Sequence, residues 1–289
     1  MDIDSILNKF LNLSFSIEIT KKFSTFACAK EIECIDGYIK SKAENNSTEY
    51  VGLMNQISGV WDASDGQYYP FKYKELDFDD VKRNIIFQIN GQYCWLLVEH
   101  REAFDLFLKE IFAYIGTIDC SMWSKKDFGD AESGDLSAKS YDWYLGKSMK
   151  MRKVLGRLQK LYPSLTDIVQ VNPSEIDLVL AICTIKKFRQ IIVHNGGFVD
   201  DKAKTMDEIL NDFGSLKKRK LNKDDVAFVE KFFLFNNDRC YLHLLEKDLP
   251  LAFGAYDKFS PQYFDAFMSC LRTYALAICR CVAASANSR

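Results

Sequence analysis

Proline is scarce here: five residues in 289. So few φ-locked residues without a backbone N–H leave long helices uninterrupted. Histidine is scarcer, at three, so one placed beside an arginine at a helix end stands out. Charge of one sign is also lacking. The formal net charge of -2 excludes a protein whose whole surface clamps nucleic acid, and leaves room for a local basic groove. No window of membrane-span length is free of charge. The nearest, "FMSCLRTYALAICRCVAA", is interrupted by Arg272 and Arg280 and reads as a core or interface helix. No G-x-G-x-x-G occurs, so a dinucleotide-binding fold has no support.

What is present is 48% hydrophobic and 27% charged residues, the composition of a soluble globular chain of one or two domains. Nine cysteines, an odd number, are scattered mostly through apolar runs. With the N-terminus "MDIDSILNKF", which has neither a basic start nor a long apolar stretch, they predict reduced thiols, a cytoplasmic location and no membrane contact.

Helical spacing dominates. Residues 1 to about 75 read as short helices and loops, with Phe26, Ala27, Ile32, Ile35 and Ile39 at helical intervals and "ENNSTEY" as a break. A long helix is expected from Asp79, bent near Gly91, with a stripe of Leu96, Leu97, Phe104, Phe107, Leu108, Ile111 and Phe112. Residues 118–140 read as a loop, and "YDWYLGKSMKMRKVLGRLQKLY" as a second helix ended by Pro163. "NPSEIDLVLAICTIKKFRQIIV" is the third, with Asn172 as N-cap, Pro173 in the first turn and Glu175 closing a capping box. "HNGG" stops it, since glycine takes the left-handed conformation that ends helices. "DVAFVEKFFLF" and "DRCYLHLLEKDL" read as shorter helices, and the last helix starts near Ser260-Pro261. Short strands are expected only around "GFVDD" and "FKYKEL".

Several chemical motifs fail on context. "LGKS", Leu145–Ser148, ends like a phosphate-binding loop, but Tyr141 sits where that loop needs glycine and no strand precedes it. Cys240 with His243, and Cys279 with Cys281, lack a matching second ligand pair, so no metal is expected. "LKKRK", Leu216–Lys220, reads as a solvated basic run able to touch phosphates. "FRQIIVHNGG" is different. Gln190 and His194 are four apart and share a helix face. Arg189 and His194 are five apart, about 140° round the helix at about 100° per residue. A long guanidinium spans part of that angle. Arg grips phosphate and His moves protons near neutral pH, so the set suffices for RNA cleavage without a metal. Spacing alone favours simpler roles: an arginine paired with an acid, and a histidine capping a helix C-terminus.

A long helix ending in Arg189-Gln190-Ile191-Ile192-Val193-His194-Asn195 before glycine resembles the motif of the HEPN superfamily (higher eukaryotes and prokaryotes nucleotide-binding domains). Its signature is Arg, four to six residues, then His. Gln190 stands where Asn, Asp or His is commoner. "WLLVEHREAFDLFL" is similar to the family's first helix, an apolar stripe carrying a polar or acidic residue. The resemblance covers roughly 79–197 and a closing helix at 260–284.

The resemblance implies an all-α fold with a HEPN-like bundle of four to five helices over 76–289; the N-terminal helical extension over 1–75 and the helical insertion over 200–258 are read from the sequence and are not explained by it. It implies a homodimer with a composite cleft, no cofactor, and a metal-independent endoribonuclease leaving 2′,3′-cyclic phosphate and 5′-hydroxyl ends. Toxins and antiphage defence proteins are its context, with an antitoxin or defence partner to match. Arg189 and His194 are the catalytic candidates, Gln190 and Asn195 the orienting ones. Glu99 and His100, in "VEHREAFD", are outer candidates supporting them. The alternatives are a non-catalytic helical module that binds a nucleotide or a partner protein, and a scaffold in which Arg189 and His194 are only structural.

Overall fold

The computed structural model describes residues 2–45, 59–70, 78–123, 136–149, 154–170, 177–217, 221–236, 239–245 and 263–287. It is predominantly helical. Two long helices form its spine. α1 (Ile3–Asn45) has 43 residues and α2 (Phe78–Ile118) has 41, each about 60 Å long at about 1.5 Å per residue. A hairpin of β1 (Gly59–Trp61) and β2 (Tyr68–Pro70) lies between them in sequence, with Val60 opposite Tyr69. The expected short helices of 1–75 are therefore one helix up to Asn45. Ile6, Phe10 and Ile17 on α1 are buried in the same core as Phe104 and Phe107 of α2. Ile32 and Ile35, a turn apart, close on Ile85 of α2 in a separate small cluster, beside the Lys82–Asp36 ion pair. Each of those pairings joins residues about 50 or more apart in sequence, which local spacing does not report. α2 runs through Gly91 as one helix.

α3 (Tyr141–Ser148) and α4 (Val154–Leu161) stand where a single helix is expected over 141–162, and α5 (Pro163–Gln170) follows. The chain does leave the helix before Pro163, since α4 ends at Leu161, and Pro163 also opens α5, the place where a missing N–H costs nothing. α3 sits tight against α2: a Cβ on Gly116 would fall 2.5 Å from Tyr144 Cδ1 and 2.6 Å from Trp123 Nε1. α6 (Leu178–Asn195) is capped by Asp177, whose carboxylate accepts from the Val179 and Leu180 N–H groups. The expected cap at Asn172, with Pro173 and Glu175, lies outside the described residues.

After α6 the chain makes β3 (Phe198–Val199), α7 (Lys202–Lys217), α8 (Lys223–Glu230), β4 (Phe233–Asn236) and β5 (Arg239–Leu242). The strand expected in "GFVDD" is present as β3. Two expected helices are corrected. "DVAFVEKFFLF" is helical only to Glu230, and "RCYL" is a strand. The three strands pair antiparallel in the order β3-β5-β4, with Tyr241 between Phe198 and Leu234. Short apolar runs fit strand or helix equally on pattern; a tertiary contact decides here. Buried Asn90 of α2 donates to Leu242 O and accepts from Leu244 N–H, both at 2.8 Å, so one carboxamide pins β5 to the spine. The strand expected in "FKYKEL" lies outside the described residues.

α9 (Tyr263–Asn287) closes the bundle against α1, α2, α5 and α6. Among the described residues it is the one helix long and apolar enough to cross a membrane, and 61% of that window is buried within the protein. Tyr274, Leu271 and Ile278 are fully buried in the core.

Candidate functional site

α6 carries the motif because its sequence separates two jobs. Leu178 to Ile185, Phe188, Ile191 and Ile192 are buried, which fixes the helix between α2, α7 and α9. Lys186, Arg189, Gln190, Val193 and His194 are left at or near the surface. The helix stops where expected. Gly196 and Gly197 take φ of 62° and 92°. Their N–H groups reach Ile192 O and Ile191 O at 2.9 and 3.4 Å, so the last carbonyls are not orphaned.

The motif residues fan out from this end. Arg189 turns to α2, where its Nε and Nη2 donate to Glu102 Oε1 at 2.6 and 2.5 Å. Gln190 turns the other way and lines a groove of about 310 Å³ between α6 and α7. His194 is exposed in the final turn. Asn195 donates from Nδ2 to Asp200 Oδ2 at 3.1 Å, tying the helix end to the segment after β3. Within one chain, Arg189 and His194 therefore do not close on a common point. They are separated by about 7.5 Å along the axis at about 1.5 Å per residue.

The groove beside Gln190 is electrically balanced. Lys186 pairs with Asp212 at 2.8 Å, and Lys187 with Glu208. The Lys187 hydrogen bond holds the Glu208 carboxyl below its usual range. Cys183 lies at its floor. Burial, reinforced by Asp212, pushes that thiol up to about 12, so it is protonated and a poor nucleophile.

Glu99 is exposed on α2, whereas His100 is not at this site. Its ring is fully buried on the side of α2 that meets α1, stacked on Phe10 at 5.4 Å. Ser14 Oγ lies 2.9 Å from His100 Nε2 and accepts from Arg272 Nε at 2.5 Å. The Ser14 proton therefore points to the imidazole, which accepts it while neutral. Burial first, then the Arg272 charge, pulls His100 down to about 3. Arg272 also donates to Glu18 at 2.9 Å. The residue that does join Arg189 is Glu102, which "VEHREAFD" contains; its spacing of three from Glu99 was the available signal. Among the described residues no group of three or more His, Cys, Asp or Glu is arranged to hold a metal ion.

No family model matches the chain, and neither a curated protein nor a solved structure matches it.

Proposed function

We propose that the chain is a metal-independent endoribonuclease acting through Arg189 and His194, and that the α2–α6 face is where RNA meets it. One observation carries this reading. Arg189 presents its Nε/Nη2 edge, the edge that grips phosphate oxygens, to a single carboxylate at a half-exposed position, on the helix that ends in an exposed His194. A surface ion pair of this kind contributes little, so a phosphate diester can replace Glu102 on the guanidinium. The 2′-hydroxyl attacks phosphorus as His194 takes its proton. The P–O5′ bond breaks and the leaving oxygen takes up a proton, giving a 2′,3′-cyclic phosphate and a 5′-hydroxyl. Arg189 offsets the charge that builds on the phosphoryl oxygens. Because the two side chains diverge within one chain, a second copy laid along α6 supplies the complementary residue of a composite cleft. A role as a toxin or in antiphage defence accords with this chemistry.

The same divergence favours a second reading, a non-catalytic module that binds a nucleotide or a partner protein. Arg189, Gln190 and Asn195 address three different neighbours, as a binding surface would.

The deciding experiment incubates mixed RNA with the protein in EDTA, alongside Arg189→Ala and His194→Ala. Cleavage that survives EDTA and is lost in both variants supports the nuclease. Equal cleavage by all three proteins sinks it. Absence of cleavage, with a rise in melting temperature on adding a nucleotide, supports the binding module. Growth arrest on expression, relieved by His194→Ala, supports the toxin role.

A further inference from the structure

α1 has a second face that the fold does not use. Its core side holds Ile6, Phe10, Ile17, Ile32 and Ile35. On the opposite side, Phe15, Ile19, Phe23 and Phe26 are 58%, 37%, 71% and 52% exposed. The exposed ends of the helix carry charge as a solvated surface should: Asp4 and Lys9 before the stripe, then Lys30, Glu31, Glu33, Asp36 and Lys40 after it. Between them the stripe has small uncharged neighbours, with the exposed Lys22 on its flank held by Glu18 of the same helix. Ser16 and Thr20 already donate their hydroxyls to Asn12 O and Ser16 O at 3.1 Å. They therefore lose no water-dependent donor if the face is covered.

The spacing of this face identifies its occupant. Asn12, Ser16, Ile19, Phe23, Phe26 and Lys30 alternate by four and three residues, which is the seam of a coiled coil. We propose that a second copy of this chain docks here, α1 against α1, antiparallel about a two-fold axis level with Lys21. Lys21 itself points into the protein, bonded to Asp265 at 2.5 Å, so the seam lies on the side of α1 away from it. In this register each layer is complementary. Ile19 meets Phe23 of the second copy, Ser16 meets its Phe26, and Asn12 meets its Lys30, each twice by symmetry. Large faces small, and Phe15 on the flank faces Ala27. At both ends the charges are satisfied within each copy, Lys9 by Glu110 of α2 and Lys30 by Glu33, so they bound the apolar stretch without entering it.

The area fits a modest association. The exposed parts of these side chains amount to about 400 Å² per copy at about 150–250 Å² for a whole aromatic. With the flanking stems the pair covers on the order of 1,000 Å², the lower limit for a specific interface, so the association is concentration-dependent. The contact is independent of the nuclease reading. α1 and Arg189 lie on opposite sides of α2: Ser14 and Thr25 bond His100 and Tyr93, while Arg189 bonds Glu102. An α1 pairing leaves the Arg189 and His194 face of each copy open.

The test is the particle mass of the full chain by light scattering from about 1 to 100 μM, a range around a micromolar dissociation constant. Ile19→Lys and Phe23→Glu should each halve the wild-type mass at the upper concentration, with an unchanged melting temperature because both side chains are exposed. Mixing the two variants should restore it, since Lys at 19 faces Glu at 23 only in the antiparallel register, while the other layer keeps its native Phe and Ile. A wild-type mass that neither variant changes overturns the proposal. Halving without restoration on mixing overturns the antiparallel register. Flotation of the wild type with phosphatidylserine vesicles, abolished by Phe23→Glu, with a mass that no variant alters, also overturns it and assigns the stripe to a membrane surface.

Discussion

His100 and Glu102 are two residues apart on α2, yet they belong to different worlds. His100 faces α1 in a buried cluster with Ser14, Arg272 and, at its rim, Glu18. Glu102, about 200° further round the helix at about 100° per residue, meets Arg189 in the open. Each site holds an arginine, a glutamate and a nearby histidine; the two arginines are similarly exposed, at 32% and 37%, and the contrast lies in the histidines, His100 fully buried and His194 exposed. At the inner site the Ser14–His100 hydrogen bond is closed off from water. The outer pair is screened and exchangeable. The same residue types thus give structure in one place and a surface able to bind and react in the other.

Four substitutions, one of them read through a pH titration, probe this contrast. The largest effect is expected from Arg272→Ala. It removes the donor to fully buried Ser14 Oγ and a partner of Glu18. Ser14 keeps His100 and Glu18 keeps Lys22, so losing the charge-assisted bond to a buried hydroxyl should cost about 2–3 kcal/mol of unfolding free energy in a urea titration. A loss below about 1 kcal/mol, the scale of an exposed pair, would erase the distinction between the two sites.

Next is pH. His100 falls from the usual 6.5 to about 3 in the folded protein, so it stays neutral there while the unfolded chain protonates. Stability is then complete above the unfolded value and declines as pH drops from about 6.5 toward about 3. The decline is about 2 kcal/mol by pH 5. His100→Gln keeps an acceptor for Ser14 and cannot titrate. It should flatten this slope between pH 7 and 5, read from denaturation midpoints. An equal slope in the variant would assign the proton uptake elsewhere. Glu18, held below its usual range first by its Arg272 hydrogen bond, acts in a lower window, as pH falls through the carboxylate range.

Much of this architecture was legible beforehand, and the failures have physical causes. The 3.6-residue stripe from Leu96 to Phe112 located α2, and "HNGG" located the end of α6 to within a residue or two, because caps and periodicity are local. α1 as one helix was not legible. Ile32 and Ile35 are held by Ile85, a contact that no window includes. β4 and β5 were misread because "FFLF" and "RCYL" are short, and the choice is made by Asn90 from α2. At the site, Arg189 and His194 could be named, but not that Arg189 turns to Glu102 and Gln190 to α7. The burial of His100 depends on Phe10 and Ser14, nearly ninety positions earlier. The glycine stop offers a smaller check. Gly196→Ala, forced to hold φ near 62°, should lose about 1 kcal/mol, seen as a lower melting temperature.

The smallest stability change and the most informative outcome come from the outer pair. Arg189→Ala and Glu102→Gln remove an ion pair whose side chains are 37% and 51% exposed, and each should alter stability by no more than about 0.5 kcal/mol. Their effects on RNA should have opposite signs. Arg189→Ala loses the guanidinium that offsets developing charge, and cleavage should fall by about 100-fold or more. Glu102→Gln keeps the shape but surrenders the negative charge that competes with phosphate. Binding of a short RNA should tighten several-fold, and its salt dependence should steepen as Arg189 becomes free to displace counterions. Fluorescence anisotropy across a salt series measures both. If Glu102→Gln instead weakens binding as much as Arg189→Ala, the carboxylate is holding Arg189 in its working geometry. The outer site would then resemble the inner one, a network whose members function only together.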